Sequence, residues 1–127
     1  MIANEPEVPV RTKNQHGPRT YEFEARIILR KRGFPLVVRV ADPSLPINLI
    51  AWSKQGTAHL YRVVASRRAV ASAAAAAAIF PEEIRQLQAI PRPPAGSVNL
   101  WIHHELGWKC YRVLPGGIID TEGSDVE

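Results

Sequence analysis

A chain of 127 residues is one domain by size, large enough for a single buried core and too short for two. Its 46% hydrophobic and 22% charged residues are a globular balance, and no apolar run approaches the roughly 20 residues that span a bilayer. A formal charge of +4 and a pI near 9.6 favour an anionic partner.

The acids gather at the two ends, Glu5 and Glu7 before and Asp120, Glu122, Asp125 and Glu127 after, so the middle is more basic than the total. Arginine outnumbers lysine there, and planar, bidentate guanidinium groups suit phosphate. A nucleic-acid partner is set against a merely solvated basic surface. The one cysteine, Cys110, has no disulfide or metal-ligand companion, which fits a small buried side chain in a reducing, cytoplasmic compartment. The first residues carry no basic flank and apolar stretch of a signal peptide.

Residues 1–17, rich in proline and polar side chains, read as a flexible arm. From Pro18 to Arg32 the spacing of Tyr21, Ala25, Ile28 and Leu29 predicts a helix, ended by Gly33, with Arg26 and Arg30 on its charged face. Three strands follow: Leu36 to Ala41, Ile47 to Ser53 and, after a turn at Gly56, Ala58 to Ala65. Alternation on the third puts Leu60, Arg62 and Val64 on one face and His59, Tyr61 and Val63 on the other. Arg67 to Phe80, with alanine from Ala73 to Ala78, predicts a second helix with Arg67 and Arg68 at its head. Pro81 opens a third, short helix to Ala89. Two more strands, Val98 to His103 and Trp108 to Leu114, complete the series, and Pro115-Gly116-Gly117 is expected to stop the sheet before an acidic flexible tail at 119–127. The order α-β-β-β-α-β-β is that of a mixed α/β domain over 18–118.

Several residues resemble those of the archaeal Holliday junction resolvases, members of the restriction-endonuclease-like (PD-(D/E)XK) nuclease superfamily. Glu22 stands before Gly33-Phe34 as the family's first-helix glutamate does, and Val37-Val38-Arg39 follows. Asn48-Leu49-Ile50-Ala51 matches the Asp-Leu-Ile-Ala segment whose aspartate binds metal, with one residue inserted after Pro46. Arg62-Val63-Val64 stands at the Glu-x-Lys triplet. Gly107-Trp108-Lys109-Cys110-Tyr111, ending in Pro115-Gly116-Gly117, is similar to the family's closing motif. The resemblance covers about residues 17 to 118 and implies a restriction-endonuclease-like fold, a central mixed sheet flanked by helices, and a homodimer acting on a two-fold junction.

The same resemblance marks the departures. Of the positions that would be catalytic, Glu22 is retained and Asn48, Arg62 and Val64 are changed. A carboxylate is a hard anionic donor for Mg²⁺, whereas an amide is a weak one, a guanidinium repels the ion and an isopropyl group offers nothing. The expectation is a pseudoenzyme with no metal and no cofactor, binding DNA, branched or duplex, through Arg19, Arg26, Arg30, Arg39, Arg62, Arg67 and Arg68. Arg62 either holds a phosphate or pairs with Glu22.

Other constellations are weaker. Glu24 and Asp42 are the acids with which Glu22 would rebuild an Mg²⁺ site in an active endonuclease, although Asp42 before Pro43 is a turn residue by type. His103 and His104, beside Glu105, point to opposite strand faces and cannot share an ion. Trp52, Trp101 and Trp108 either stack on bases or fill the core. The rival readings are that active nuclease and a protein-interaction module presenting the alanine helix and sheet edge to a partner.

Overall fold

The computed structural model describes residues 18–121. The expected arm at 1–17 and residues 122–127 of the expected tail lie outside the described residues. Chain order is α1 (Pro18–Lys31), β1 (Leu36–Arg39), β2 (Leu49–Trp52), β3 (Ala58–Ala65), α2 (Ala73–Ile79), α3 (Pro81–Gln88), β4 (Ser97–His104), β5 (Gly107–Leu114) and β6 (Gly117–Asp120). All six strands form one sheet in sequence order, antiparallel throughout except where β3 and β4 run parallel. That parallel pair needs a crossover, and α2 and α3 supply it.

Each face of the sheet buries its own core. On one side α1 lays Ala25 and Leu29 over Val37, Leu49, Ala51, Tyr61, Val63, Trp101 and Cys110. On the other, Ala76, Phe80, Ile84 and Leu87 of the crossover cover Val98, Leu100, Ile102, Tyr111 and Val113. With helices on both faces, β4 is buried at nearly every position, which explains why its sequence does not alternate. The alternation expected on β3 holds: Tyr61 and Val63 pack under α1, and Leu60 and Val64 under the crossover.

Gly33 ends α1 at φ +103°, a conformation that costs a side chain but not glycine. The backbone N–H groups of Arg32, Gly33 and Phe34 then satisfy the last carbonyls at 3.0, 3.0 and 3.3 Å.

Two expectations are corrected. The second helix does not begin at Arg67. Ser72, in extended conformation, caps it by accepting from the Ala75 N–H at 3.1 Å, so the helix starts at Ala73. Upstream, Ser66 bonds both backbone groups of Arg68, and the Val70 N–H donates to His104 Nδ1 at 3.0 Å. These side-chain bonds outcompete helix propensity over 67–71 and leave Arg67 and Arg68 exposed in a loop. Nor does Pro115-Gly116-Gly117 stop the sheet. It turns the chain into β6, whose Ile118 pairs with Val113. Thr121 continues the tie, bonding the Cys110 carbonyl through both N–H and hydroxyl at 2.9 and 3.0 Å. Residues 119–121, expected in a loose tail, therefore belong to the sheet.

Among the described residues, no helix is long and apolar enough to cross a membrane.

Candidate functional site

Glu22 lies on the face of α1 that meets the sheet, and its residue is only 8% exposed. Burial of a carboxylate is tolerated only when its oxygens are bonded, and here both are. Arg39, the last residue of β1, donates from Nε to Oε1 at 2.9 Å. Asn48, just ahead of β2, donates from Nδ2 to Oε2 at 3.0 Å. The same amide bonds the backbone of β3, donating to the Val63 carbonyl at 3.1 Å and accepting the Val63 N–H on Oδ1 at 2.8 Å. Helix, edge strand, inner strand and β3 are thus tied at one buried hub.

The structure brings Glu22 and Asn48 together as the sequence suggests and adds Arg39, which the sequence assigns to nucleic acid rather than to Glu22. It does not bring Arg62 or Val64 to them. Val64 packs under the crossover helices, and Arg62, two positions before it on the strand, shares that face. The pairing of Arg62 with Glu22 is overturned. The β3 positions facing α1 are Tyr61 and Val63, and neither offers a carboxylate or an amine. Which face α1 covers is a matter of docking, and strand alternation alone does not carry it.

The displaced acids are apart as well. Asp42 closes its own turn, accepting from the Ser44 N–H at 2.9 Å and from the Ser44 hydroxyl at 2.7 Å. The hydroxyl first and the backbone second hold its carboxyl below the ordinary value. Glu24 stands 4.0 Å from His103. His103 stacks on Tyr21 with ring centroids 4.1 Å apart, while the neighbouring His104 is buried and accepts from Val70, so the two histidines serve different groups. Among the described residues no group of three or more His, Cys, Asp or Glu side chains could hold a metal ion. Trp101 is core, 3% exposed, edge-on to Tyr61 and Trp108 at 5.2 and 5.9 Å. Cys110 is buried beside it, as expected.

Of the arginines assigned to nucleic acid, Arg30, Arg67 and Arg68 are exposed, and Arg26 and Arg62 are half-buried. Arg26 Nε is buried with no hydrogen-bond partner among the described residues. The side chain of Arg19 lies outside the described set.

No protein-family model and no curated relative matches the chain. Among solved structures it is similar to Hjc, a Holliday junction resolvase from the archaeal hyperthermophile Archaeoglobus fulgidus, with a TM-score of 0.55 and 20% sequence identity over 76% of this chain and 72% of that one. The fold is resolvase-like. The mixed sheet with its flanking helices is the restriction-endonuclease-like α/β architecture expected from the sequence. Within this resolvase-like fold Glu22 is a buried carboxylate, and the groups around it are hydrogen-bond donors.

Proposed function

We propose that this resolvase-like chain binds DNA through its exposed arginines and does not cut it. The observation that carries the reading is the occupancy of Glu22: a guanidinium holds one carboxylate oxygen and an amide N–H the other. A Mg²⁺ ion needs several hard oxygen donors and near-octahedral space. Here a single carboxylate is already neutralised, the Asn48 oxygen is committed to Val63, and a divalent ion would sit against the Arg39 cation. The residues do not fit the metal. Glu24 and Asp42, each engaged elsewhere, do not favour the active-enzyme alternative.

The DNA contact is placed on Arg30 at the end of α1 and on Arg67 and Arg68 in the loop before α2, all free to meet phosphates. We further propose a homodimer, because junction-directed binding requires two copies of such a surface.

Gel-shift titrations on four-way junction, duplex and single-stranded DNA, with and without Mg²⁺, test the reading. Binding is expected not to require Mg²⁺ and to respond to it only as to any other salt, to fall steeply with salt, and to leave the DNA intact. Neutralising Arg67 and Arg68 together should weaken binding for all sequences alike and flatten the salt slope by about 0.9 for each phosphate no longer neutralised. Mg²⁺-dependent nicking that disappears in Glu22→Ala would overturn the proposal.

A further inference from the structure

A second site lies beyond the C-terminal end of α1, outside the Glu22 hub. A cavity of about 670 Å³ opens there, within the roughly 300–1,000 Å³ of small-molecule pockets. Its floor comes from neighbouring residues of β3 and β4, which the parallel register places side by side: His59 opposite Ser97, with Asn99 two positions on.

These polar groups form a hydrogen-bonded chain. Asn99 Nδ2 donates to Ser97 Oγ at 2.8 Å and to the Leu60 carbonyl at 3.1 Å. Ser97 Oγ lies 2.7 Å from His59 Nδ1. Ser97 accepts from Asn99 on one lone pair and can still donate its own proton to Nδ1, the arrangement in which a neutral His59 carries its N–H on Nε2. Burial first, and the Arg112 cation second, hold His59 below its ordinary value, which favours the neutral ring. Ser97 and Asn99 are each 5% exposed, so the chain is built into the fold.

The rim is cationic. Arg32, Lys54 and Arg112 all line the cavity. Among the described residues none of them is in an ion pair. Arg32 is held over the Trp101 ring, 5.2 Å from its centroid, which fixes its position without neutralising it. The acid at the rim, Asp120, is paired with Lys109 at 3.2 Å. Three unpaired cations above a neutral imidazole N–H donor suit a dianion, and the volume is far larger than a phosphate ion needs. Phe34 adds an apolar wall that suits an attached ring.

We propose that this cavity binds the phosphomonoester of a nucleotide, with Arg32, Lys54 and Arg112 gripping the phosphate and His59 donating to it. The nucleotide is either a free mononucleotide or the 5′-phosphorylated end of a strand. The site does not depend on the DNA-binding reading, which concerns Arg30, Arg67 and Arg68.

The full chain is titrated with adenosine 5′-monophosphate, adenosine and inorganic phosphate while the His59 ring resonances are followed by NMR. Saturable shifts with the monophosphate, at least tenfold weaker for adenosine, are expected, together with a rise in the His59 titration midpoint as the dianion offsets Arg112. Arg112→Gln and Lys54→Ala, both surface changes, should each weaken the monophosphate at least fivefold. A 5′-phosphorylated oligonucleotide binding tenfold tighter than its 5′-hydroxyl twin assigns the strand end; equal binding of the two, with the free nucleotide saturating, assigns the mononucleotide. Absence of saturable binding by both monophosphate and 5′-phosphorylated strand overturns the proposal, as does binding unchanged in both variants. Binding of 5′-hydroxyl duplex reports separately on the arginine surface.

Discussion

Asn48 uses its side-chain amide as a substitute peptide group for Val63, accepting that residue's N–H at 2.8 Å and donating to its carbonyl at 3.1 Å. The regular pairing of β2 with β3 ends at Leu49 opposite Tyr61, so the amide extends the ladder past the point where the main chains diverge. Its second N–H bond, to Glu22, ties α1 to that extension.

Replacing Asn48 should therefore cost stability before it affects any binding. Asn48→Ala leaves buried donors and acceptors on Val63 and Glu22 unsatisfied, an expected loss of about 2 to 4 kcal/mol in urea unfolding. Asn48→Asp, which puts a carboxylate beside Glu22, should lose at least as much at neutral pH. It sets a second anion against Glu22 and against the Val63 carbonyl, while Arg39 remains bonded to Glu22 Oε1. Gain of Mg²⁺-dependent cleavage by this variant, with stability unchanged, would contradict this role of the hub.

A double-mutant cycle measures the ion pair in the hub. The Glu22 side chain is 11% exposed and that of Arg39 is 36% exposed, so the guanidinium is partly screened and the coupling should be modest, about 1 kcal/mol. Glu22→Ala alone should cost more than the coupling because it also strips Asn48 of a partner. A coupling near zero would mean that Asn48 by itself satisfies the carboxylate.

How much of the fold and the site is legible in the sequence depends on whether an interaction is local or the product of docking. The α1 boundary, the β3 alternation and the third helix follow from periodicity, Gly33 and Pro81, and the structure places them within a residue or so. The alanine run misleads because propensity alone ignores its caps: Ser66 and Ser72 set the chain's course from 66 to 72. At the site, the family resemblance is enough to single out Glu22 and Asn48. Arg39 reads as a DNA contact, since nothing local says that the end of β1 lies under α1. The Asn99–Ser97–His59 chain is invisible to spacing because it joins strands that pair only through a parallel crossover.

Gly96 sets the approach of β4 to β3. A Cβ at that position would fall on the Ala58 carbonyl oxygen, and neither backbone can yield without breaking the register that seats Ser97 opposite His59. Gly96→Ala should cost about 2 kcal/mol or more in thermal or urea unfolding. Gly116→Ala, where a Cβ meets open space, is the control and should stay within about 0.5 kcal/mol. Equal effects in the two variants would rule out close approach as the reason for glycine at 96.

His59 gives the protein a pH dependence of known sign. Its ordinary value is 6.5, and burial followed by Arg112 lowers it in the folded chain. The unfolded chain thus binds a proton more readily than the folded one, so the stabilising contribution is present above pH 6.5 and is lost as the pH falls through the folded value. Unfolding midpoints measured between pH 8 and pH 5 should decline on the acid side, and His59→Gln should decline less. A decline of the same size in the variant would assign the dependence to other groups.

The alanine helix separates a core role from an interface role at single-residue resolution. Ala76 is fully buried against Phe80, Leu100 and the rest of the crossover core, and Ala73 and Ala75 lean on the same cluster. The opposite face of α2, with Ala74, Ala77 and Ala78, is exposed. A contact between two copies through α2 would therefore use that outer face. Ala76→Trp should destabilise the monomer by about 3 kcal/mol or more, because a rigid core cannot absorb an indole in place of a methyl group. Ala77→Trp should leave the urea midpoint nearly unchanged and, if two α2 helices meet in a dimer, shift the sedimentation coefficient toward the monomer. An unmutated chain that sediments as a monomer at micromolar concentration removes the dimer altogether. A dimer indifferent to Ala74→Trp, Ala77→Trp and Ala78→Trp places the contact on another surface.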